Sequence, residues 1–276
     1  PTPWPDAVPT YRPAAQAALA EFRRLGRRLD TNLGEVLVAF ASAGITRGLA
    51  VINPPEGQWV DETQVKMLFD QAGLADWTFE ANDGVHLRER MYALMDEIQA
   101  VLEANANAPL VLPVDQHFNV KGIGLVAIGY VQSGRVKVHD EVLLLPAEGT
   151  GNAKSLQVMD DDVEVASAGD RVGLALRNAK EDHLTGSTII VHPPVEDKRA
   201  NVSIPLAVEQ HTRSTVTLRT SPFQKRVLAP GDVVHASVDL QFVVGRVASV
   251  DADRLVVDWD QPLFIRKEQP PSVLIA

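Results

Sequence analysis

VDQHFNVKGIGLVAIGYV, residues 114–131, is the stretch of sequence that decides the fold. From here to Val191, apolar residues alternate with polar or small ones in short runs, and Gly-containing turns separate the runs. This alternation is typical of short antiparallel strands, of which we count about six. Glycine weakens a strand interior unless a bulge, a barrel corner or a close backbone approach needs it. Gly122, Gly124 and Gly129 therefore indicate the seam of a small closed barrel.

Three sequence blocks in this region carry a resemblance to a known family. They are Asp115 with FNVKGIG at 118–124, GYVQSGRVKVHD at 129–140 and AGDRVGLAL at 168–176. In this order they resemble the second domain of the elongation factor Tu superfamily. They are most similar to the second domain of the selenocysteine-specific elongation factor and to archaeal-type elongation factor Tu domain 2 proteins. The resemblance implies a translation-factor β-barrel over residues 108–195.

Composition and charge limit the kinds of function. The 276 residues suit two or three domains, and Lys+Arg 26 against Asp+Glu 36 gives a net charge of −10. Because this net charge is negative, the molecule as a whole does not attract nucleic acid electrostatically. The absence of cysteine excludes disulfides and thiolate chemistry, and no apolar run reaches the roughly 18–20 residues that span a bilayer. We expect a cytoplasmic protein with no membrane partner.

Residues 1–107 read as alternating helices and strands, which predicts an α/β unit with a parallel sheet. An Ala-rich helix is expected from Pro13 to about Leu29. Between Thr31 and Gly44 the apolar spacing fits both a helix and a buried strand, and the helix is favoured because Thr31 can cap it and Gly44 can end it. The following elements are a strand at 47–53, a helix at 61–72, a strand at 76–81 and a helix at 84–104. The arginines of the first helix gather on one side, as a phosphate-binding strip or a solvated face: Arg23, Arg24, Arg27 and Arg28.

This α/β unit resembles the second half of the superfamily's GTPase domain, but it departs from it at the nucleotide motifs. No Gly-x-x-x-x-Gly-Lys-[Ser/Thr] loop occurs anywhere in the chain, so nothing cradles the phosphates or supplies a hydroxyl to Mg²⁺. Asn53-Pro54-Pro55-Glu56 stands where the family has Asn-Lys-x-Asp, and Glu80 stands near the guanine-edge motif. The resemblance implies a truncated pseudo-GTPase with no GTPase activity and no cofactor. Its degenerate nucleotide site comprises Asn53, Pro54, Glu56 and Glu80.

Residues 196–276 again show short alternating strands, and they resemble the superfamily's third domain, a second β-barrel. This part of the chain carries ten basic and ten acidic side chains. Of the three predicted domains it is therefore the one that repels phosphate least. Its first half holds a basic group that is available to tRNA or to a second RNA surface: Arg213, Arg219, Lys225 and Arg226.

Two candidate sites of the first barrel follow from the resemblance. One is an RNA-binding surface that faces the small ribosomal subunit and consists of Lys121, Arg135, Lys137 and Lys154. The other is a candidate aminoacyl pocket with Asp115 and Arg171, in which Gln116 replaces an expected arginine. The alternative for Arg171 is a turn in which its charge pairs with Asp170.

The sequence does not support a metal site or a catalytic centre. The seven histidines show no metal-ligand spacing, and no nucleophile-elbow motif surrounds a serine. The acidic run Asp160-Asp161-Asp162 with Glu164 reads as a solvated turn rather than a cation site.

Two functions from different classes are consistent with these features. The first is a non-catalytic relative of a translational GTPase that binds the ribosome, tRNA or both through its barrels. The second is a regulatory or structural module that pairs with a protein partner at the exposed edge of the α/β sheet. An active GTPase is consistent only with a chain that is a fragment of a longer one.

Overall fold

The computed structural model describes residues 31–45, 47–197, 199, 202–218, 227–268, 270–271 and 273–275. These residues group into two compact units, residues 31–98 and residues 99–218 with 228–275. The helix expected at 13–29 and its four arginines lie outside the described residues. So do three members of the predicted second basic group, Arg219, Lys225 and Arg226. The domain boundaries at 107/108 and 195/196 stay predictions.

The first unit is an alternation of helices and strands. Its two short strands pair in parallel, with Val51 opposite Glu80. The segment 31–44, whose apolar spacing fitted both a helix and a strand, is helical from Thr31 to Ser42, as predicted. The elements are α1 Thr31–Ser42, β1 Leu49–Val51, α2 Glu62–Ala72, β2 Thr78–Glu80 and α3 Gly84–Ala106, whose last turns belong to the second unit.

Local capping explains where α2 begins and ends. The Asp61 carboxylate accepts hydrogen bonds from the backbone N–H groups of Thr63 at 3.0 Å and Gln64 at 3.3 Å. Gly73 ends the helix in the left-handed conformation at φ 87°, where its missing Cβ removes the steric penalty. The helix presents Val65 and Phe69 to a core that includes Leu37 of α1.

The second unit begins with a closed barrel, which confirms the central prediction from the sequence. Six antiparallel strands follow one another in the ring β10-β4-β3-β11-β6-β7, and β7 pairs again with β10. Strand β8 extends β7 as a hairpin, and β5 pairs separately with β9. The strands are β3 Val111–Val120, β4 Gly124–Tyr130, β5 Arg135–Lys137, β6 Glu141–Leu145, β7 Gly149–Val158, β8 Asp161–Val163, β9 Val165–Ser167, β10 Arg171–Arg177 and β11 Ile189–Val191.

The three glycines of the opening stretch have two different roles. Gly122 and Gly124 lie in or next to the turn between β3 and β4, with φ angles of 86° and 106° that favour glycine. Gly122 lies in the turn, so its predicted place inside a strand is wrong, whereas Gly124 is the first residue of β4. Gly129 does lie within a strand, opposite a bulge of β3 in which Asp115 is the extra residue. A Cβ at Gly129 would clash with the Pro113 carbonyl and come within 2.6 Å of Leu112 Cδ2.

The remaining strands form a two-stranded and a five-stranded antiparallel sheet. The five-stranded sheet has the order β14-β17-β16-β15-β18 and buries residues such as Val234, Leu255 and Val257. In the described part of the chain its two outer strands do not pair, so closure into a second barrel stays a prediction. The strands are β12 Val195–Asp197, β13 Val202–Ile204, β14 Val208–Thr217, β15 Val233–Val238, β16 Gln241–Asp251, β17 Arg254–Arg266 and β18 Leu274–Ile275.

A shared apolar cluster joins the barrel to the five-stranded sheet. Leu145 and Ile189 of the barrel pack with Val208 and Phe264 of the sheet, and all four side chains are buried. Gln241 is buried beside them, and its amide bonds both to the N–H of Phe264 at 2.9 Å and to the Phe264 carbonyl at 2.7 Å. Because its donor and acceptor are both satisfied, this polar side chain is accommodated in an apolar interface.

Substitution of Gly129 by alanine tests the packing at the bulge. We expect Gly129→Ala to lower the free energy of unfolding by about 1–3 kcal/mol, because the added methyl group collides with the backbone of β3. Gly186→Ala is the matched control, since its Cβ would meet nothing within 4 Å. Both changes reduce the entropy of the unfolded chain equally. Urea denaturation of the three proteins measures the difference, and equal midpoints would contradict the close approach.

Candidate nucleic-acid interface and degenerate nucleotide site

A second bulge in the barrel determines the direction of Lys154. In the pairing of β7 with β10, Ser155 lies opposite Ala175 and Ala153 opposite Leu176, so Lys154 is the extra residue. A bulge redirects the side chain of the extra residue. Lys154 Nζ donates a 2.6 Å hydrogen bond to the carbonyl of Ile123, in the turn between β3 and β4. The structure therefore brings Lys154 to the turn that carries the exposed Lys121.

Arg177 joins these two lysines at the same end of the barrel. It is exposed at the end of β10, opposite Asn152, and the residue before it pairs with Leu125 at the start of β4. We call the group of Lys121, Lys154 and Arg177 the hairpin end. Sequence reasoning missed Arg177, although it directly follows the matched block at 168–176. Its position became informative only when β10 paired with both β4 and β7.

The other two predicted RNA-binding residues lie on β5. Arg135 and Lys137 are exposed on either side of the buried Val136, and they therefore share one face of the strand. Lys137 lies opposite Val165, and Val138 N donates to the carbonyl of Glu164. The nearby β7–β8 hairpin exposes three consecutive aspartates at 160–162. These carboxylates reduce the positive potential near Lys137.

Arg213 is the one described member of the predicted second basic group, and its charge is engaged within the protein. It pairs across the strands with Asp258, and its Nη2 lies 2.8 Å from Asp258 Oδ2. Its Nε bonds to the other oxygen, so the contact is bidentate. The hydrogen bond lowers the pKa of Asp258 and raises that of Arg213. Arg213 is consequently less available to phosphate than an arginine without a carboxylate partner.

The candidate aminoacyl pocket is built around the bulge of β3. The Asp115 side chain is 3% exposed, and Arg171 Nη2 lies 3.8 Å from its Oδ2. The Arg171 guanidinium also lies 5.9 Å from the centre of the Tyr130 ring, within the range of a cation–π contact. Asp170 instead accepts a 2.7 Å hydrogen bond from Ser167 N within its own turn. Gln116 is half-buried and lies opposite Ile128.

The residues of the degenerate nucleotide site lie at the end of the parallel sheet. Because β1 and β2 are parallel, their C-terminal ends lie at the same end of the sheet. The chain after β1 carries Asn53, Pro54 and Glu56 there, and Glu80 is the last residue of β2. Oδ1 of Asp83 accepts from the N–H groups of Val85 and His86 at the start of α3, which lowers the pKa of Asp83.

Glu80 itself is held by two side chains of α3. Its carboxylate lies 2.6 Å from His86 Nε2 and 2.9 Å from Arg90 Nε, and its side chain is 13% exposed. The hydrogen bond from His86, followed by that from Arg90, lowers the pKa of Glu80. The Glu80 carboxylate, which the sequence predicts to stand near the guanine-edge motif, is thus bound within the protein.

The pH dependence of this cluster follows from the direction of the shift. Because the pKa of Glu80 is below its ordinary value of 4.5, its ionised form stabilises the fold above that pH. The contribution is lost as the pH falls through the lowered pKa. We expect His86→Gln to raise the pKa of Glu80, and by more than Arg90→Gln does. A carbon-13 NMR titration of the carboxyl group measures both, and an unchanged pKa in His86→Gln would refute the assignment.

Comparison with known proteins identifies one matching family and several similar proteins. Residues 124–190 match the family described as "Elongation factor Tu domain 2". An uncharacterized protein of Methanocaldococcus jannaschii is 29% identical over 224 residues, which cover 81% of this chain and 65% of that protein. The selenocysteine-specific elongation factor of the same organism is 27% identical over 181 residues, which cover 66% of this chain and 36% of that protein.

Solved structures agree on the fold. The apo form of translation elongation factor SelB from Methanococcus maripaludis superposes with a TM-score of 0.68 at 18% identity, covering 88% of this chain and 59% of that one. The resemblance inferred from the three sequence blocks is confirmed: the chain is similar to translation elongation factors, and residues 124–190 match their second domain. It spans about two thirds of the first relative named and about one third of the second. Among the described residues no helix is long and apolar enough to cross a membrane.

Proposed function

We propose that this protein is a non-catalytic, cytoplasmic relative of the translation elongation factors and that its first barrel binds ribosomal RNA. The observation that carries the proposal is the convergence of Lys121, Lys154 and Arg177 at the hairpin end. A bulge and the closure of the barrel bring these three cations together from separate strands. Basic side chains in one group are the feature that a phosphate backbone recognises.

The charge of the surrounding barrel determines how such binding behaves. Residues 108–195 carry seven basic and eleven acidic side chains, so the barrel as a whole repels RNA. Contact is therefore restricted to the hairpin end and to Arg135 and Lys137 on β5. A few phosphate contacts on an acidic domain make the affinity strongly dependent on salt. The residues outside the described ranges, including Arg219, Lys225 and Arg226, remain available for tRNA in this proposal.

Charge reversal tests the RNA interface. We expect Lys121→Glu with Arg177→Glu to weaken co-sedimentation with small ribosomal subunits and to leave the barrel folded, because both side chains are exposed. The slope of log K against log salt should become shallower by roughly 0.7–0.9 for each phosphate contact that is lost. The same experiment with Lys121→Glu and Arg135→Glu tests the surface that the sequence predicted.

The matched control is Lys66→Glu with Arg254→Glu, which changes the net charge equally at two exposed positions outside the first barrel. This variant should bind as the unchanged protein does. Unaltered affinity and salt dependence in Lys121→Glu with Arg177→Glu would reject RNA docking at this surface. An equal loss in the control would show that net charge alone governs the association.

The lack of catalysis rests on the nucleotide motifs. The chain contains no phosphate-binding loop, Pro54 replaces the lysine that packs over the base, and Glu80 is engaged with His86 and Arg90. We expect neither GTP nor GDP with Mg²⁺ to bind in isothermal titration calorimetry, because phosphate cradle, metal ligand and base reader are all changed. Binding at micromolar concentration, or phosphate release above the buffer rate, would overturn this part of the proposal.

One observation favours the second function, a protein-interaction module. Strand β1 pairs with β2 along one edge, and within the described ranges its other edge pairs with no strand. An unpaired edge of an apolar strand is a template for another chain. In this alternative, pull-down of a protein partner would be lost when the edge is blocked and unaffected by reversal at the hairpin end.

A further inference from the structure

The turn between β3 and β4 carries the exposed Lys121 at its tip. Within the turn, the N–H of Ile123 donates a 3.1 Å hydrogen bond to the carbonyl of Val120. Gly122 is the third residue of this turn, and its φ of 86° is the conformation that a type II turn requires there. Lys121 therefore occupies the second position. A turn that is exposed to solvent opens easily unless other contacts hold it.

Two side-chain hydrogen bonds hold this turn from opposite sides. On the β4 side, Lys154 Nζ donates to the carbonyl of Ile123 at 2.6 Å. On the β3 side, Asn119 Nδ2 donates to Glu181 Oε2, also at 2.6 Å. Glu181 belongs to the short 3₁₀-helix Glu181–His183, which follows β10. Both bonds join residues that are far apart in the chain, so the closed barrel fixes the turn.

Lys154 and Lys121 differ in their surroundings. The side chain of Lys121 is exposed, whereas that of Lys154 is half-buried. Lys154 is also the extra residue of the β7 bulge, and a bulge redirects the side chain of that residue. A hydrogen bond from a charged donor is stronger than one between neutral groups. The position of the Lys154 ammonium group is thus determined by the backbone of the turn.

We propose that Lys154 is a positioning residue, which holds the β3–β4 turn so that Lys121 is presented to an RNA phosphate. The bond between Asn119 and Glu181 supports the turn from its other side. This role rests on the RNA-binding function proposed above, and it assigns different tasks to the two lysines. A turn that is already ordered loses less conformational entropy on binding, and preorganisation of this kind increases affinity.

A double-mutant cycle tests whether Lys154 acts through Lys121. Lys121→Met and Lys154→Met should each weaken co-sedimentation of the full chain with small ribosomal subunits several-fold. The double variant should bind almost as Lys121→Met does, because residues that act through one contact are not additive. Arg177→Met is the control, since it removes the same charge from the hairpin end, and its effect should add to that of Lys121→Met.

An uncharged substitution separates positioning from loss of charge. Asn119→Ala removes the second support of the turn and leaves the net charge unchanged. It should also weaken RNA binding several-fold, and it should not add to Lys121→Met. The matched control is Gln157→Ala on β7, which removes a similar amide–carboxylate bond, of 3.0 Å to Asp162, away from the turn. Gln157→Ala should bind as the unchanged protein does.

Hydrogen exchange measures the turn without any RNA. The Ile123 amide reports the turn bond, and it should exchange at least several-fold faster in Lys154→Met and in Asn119→Ala. The two control variants should leave its exchange unchanged. The Val131 amide donates to the carbonyl of Asp170 at 2.9 Å and reports the intact barrel. Its exchange should stay the same in every variant, which shows that the barrel remains folded.

The outcomes separate this role from the RNA-binding function itself. Additive losses in Lys121→Met and Lys154→Met would show that Lys154 contacts RNA directly, and they would overturn the positioning role alone. Unchanged Ile123 exchange in Lys154→Met would do the same. Unchanged affinity in Lys121→Met would reject RNA binding by this turn, and the positioning role would fall with it.

Discussion

The pairing of β7 with β10 is the constraint on which the barrel and its candidate sites depend. It closes six strands into a ring, so every strand of the ring has two neighbours and no edge remains exposed. Closure also buries a continuous core in which residues such as Val142, Leu144 and Leu174 are fully buried. Apart from Asp115, whose side chain is buried near Arg171, the acidic side chains of the domain are half-buried or exposed.

Bulges make the closed ring locally irregular, and both candidate sites of the barrel lie at them. The extra residue in β3 is Asp115, which reaches Arg171, and the extra residue in β7 is Lys154, which reaches the β3–β4 turn. A regular ladder alternates side chains strictly between the two faces. An extra residue interrupts that alternation and lets a polar side chain approach a neighbouring strand. The polar side chains Asp115 and Lys154 thus lie where the hydrogen-bond register of this barrel changes.

The two compact units differ in how the edges of their sheets are paired. The barrel removes its edges by closure, whereas in the α/β unit, among the residues that the structure describes, β1 pairs along one edge only, and an apolar groove lies beside it. Where β2 ends, Glu80 binds His86 and Arg90 of the same unit. The Glu80 carboxylate is therefore bound by side chains of its own unit.

The sequence by itself determined the order of the elements, because alternation, helical spacing and caps such as Asp61 and Gly73 act over a few neighbouring residues. It also determined the resemblance to the translation factors, since the three blocks keep their order along the chain. Only the tertiary structure decided that Gly129 faces a bulge, that Arg177 lies with Lys121 and Lys154, and that Arg213 is paired with Asp258. These relations depend on strand register and on ring closure. They join residues far apart in the chain, and local sequence patterns carry no information about which distant residues meet.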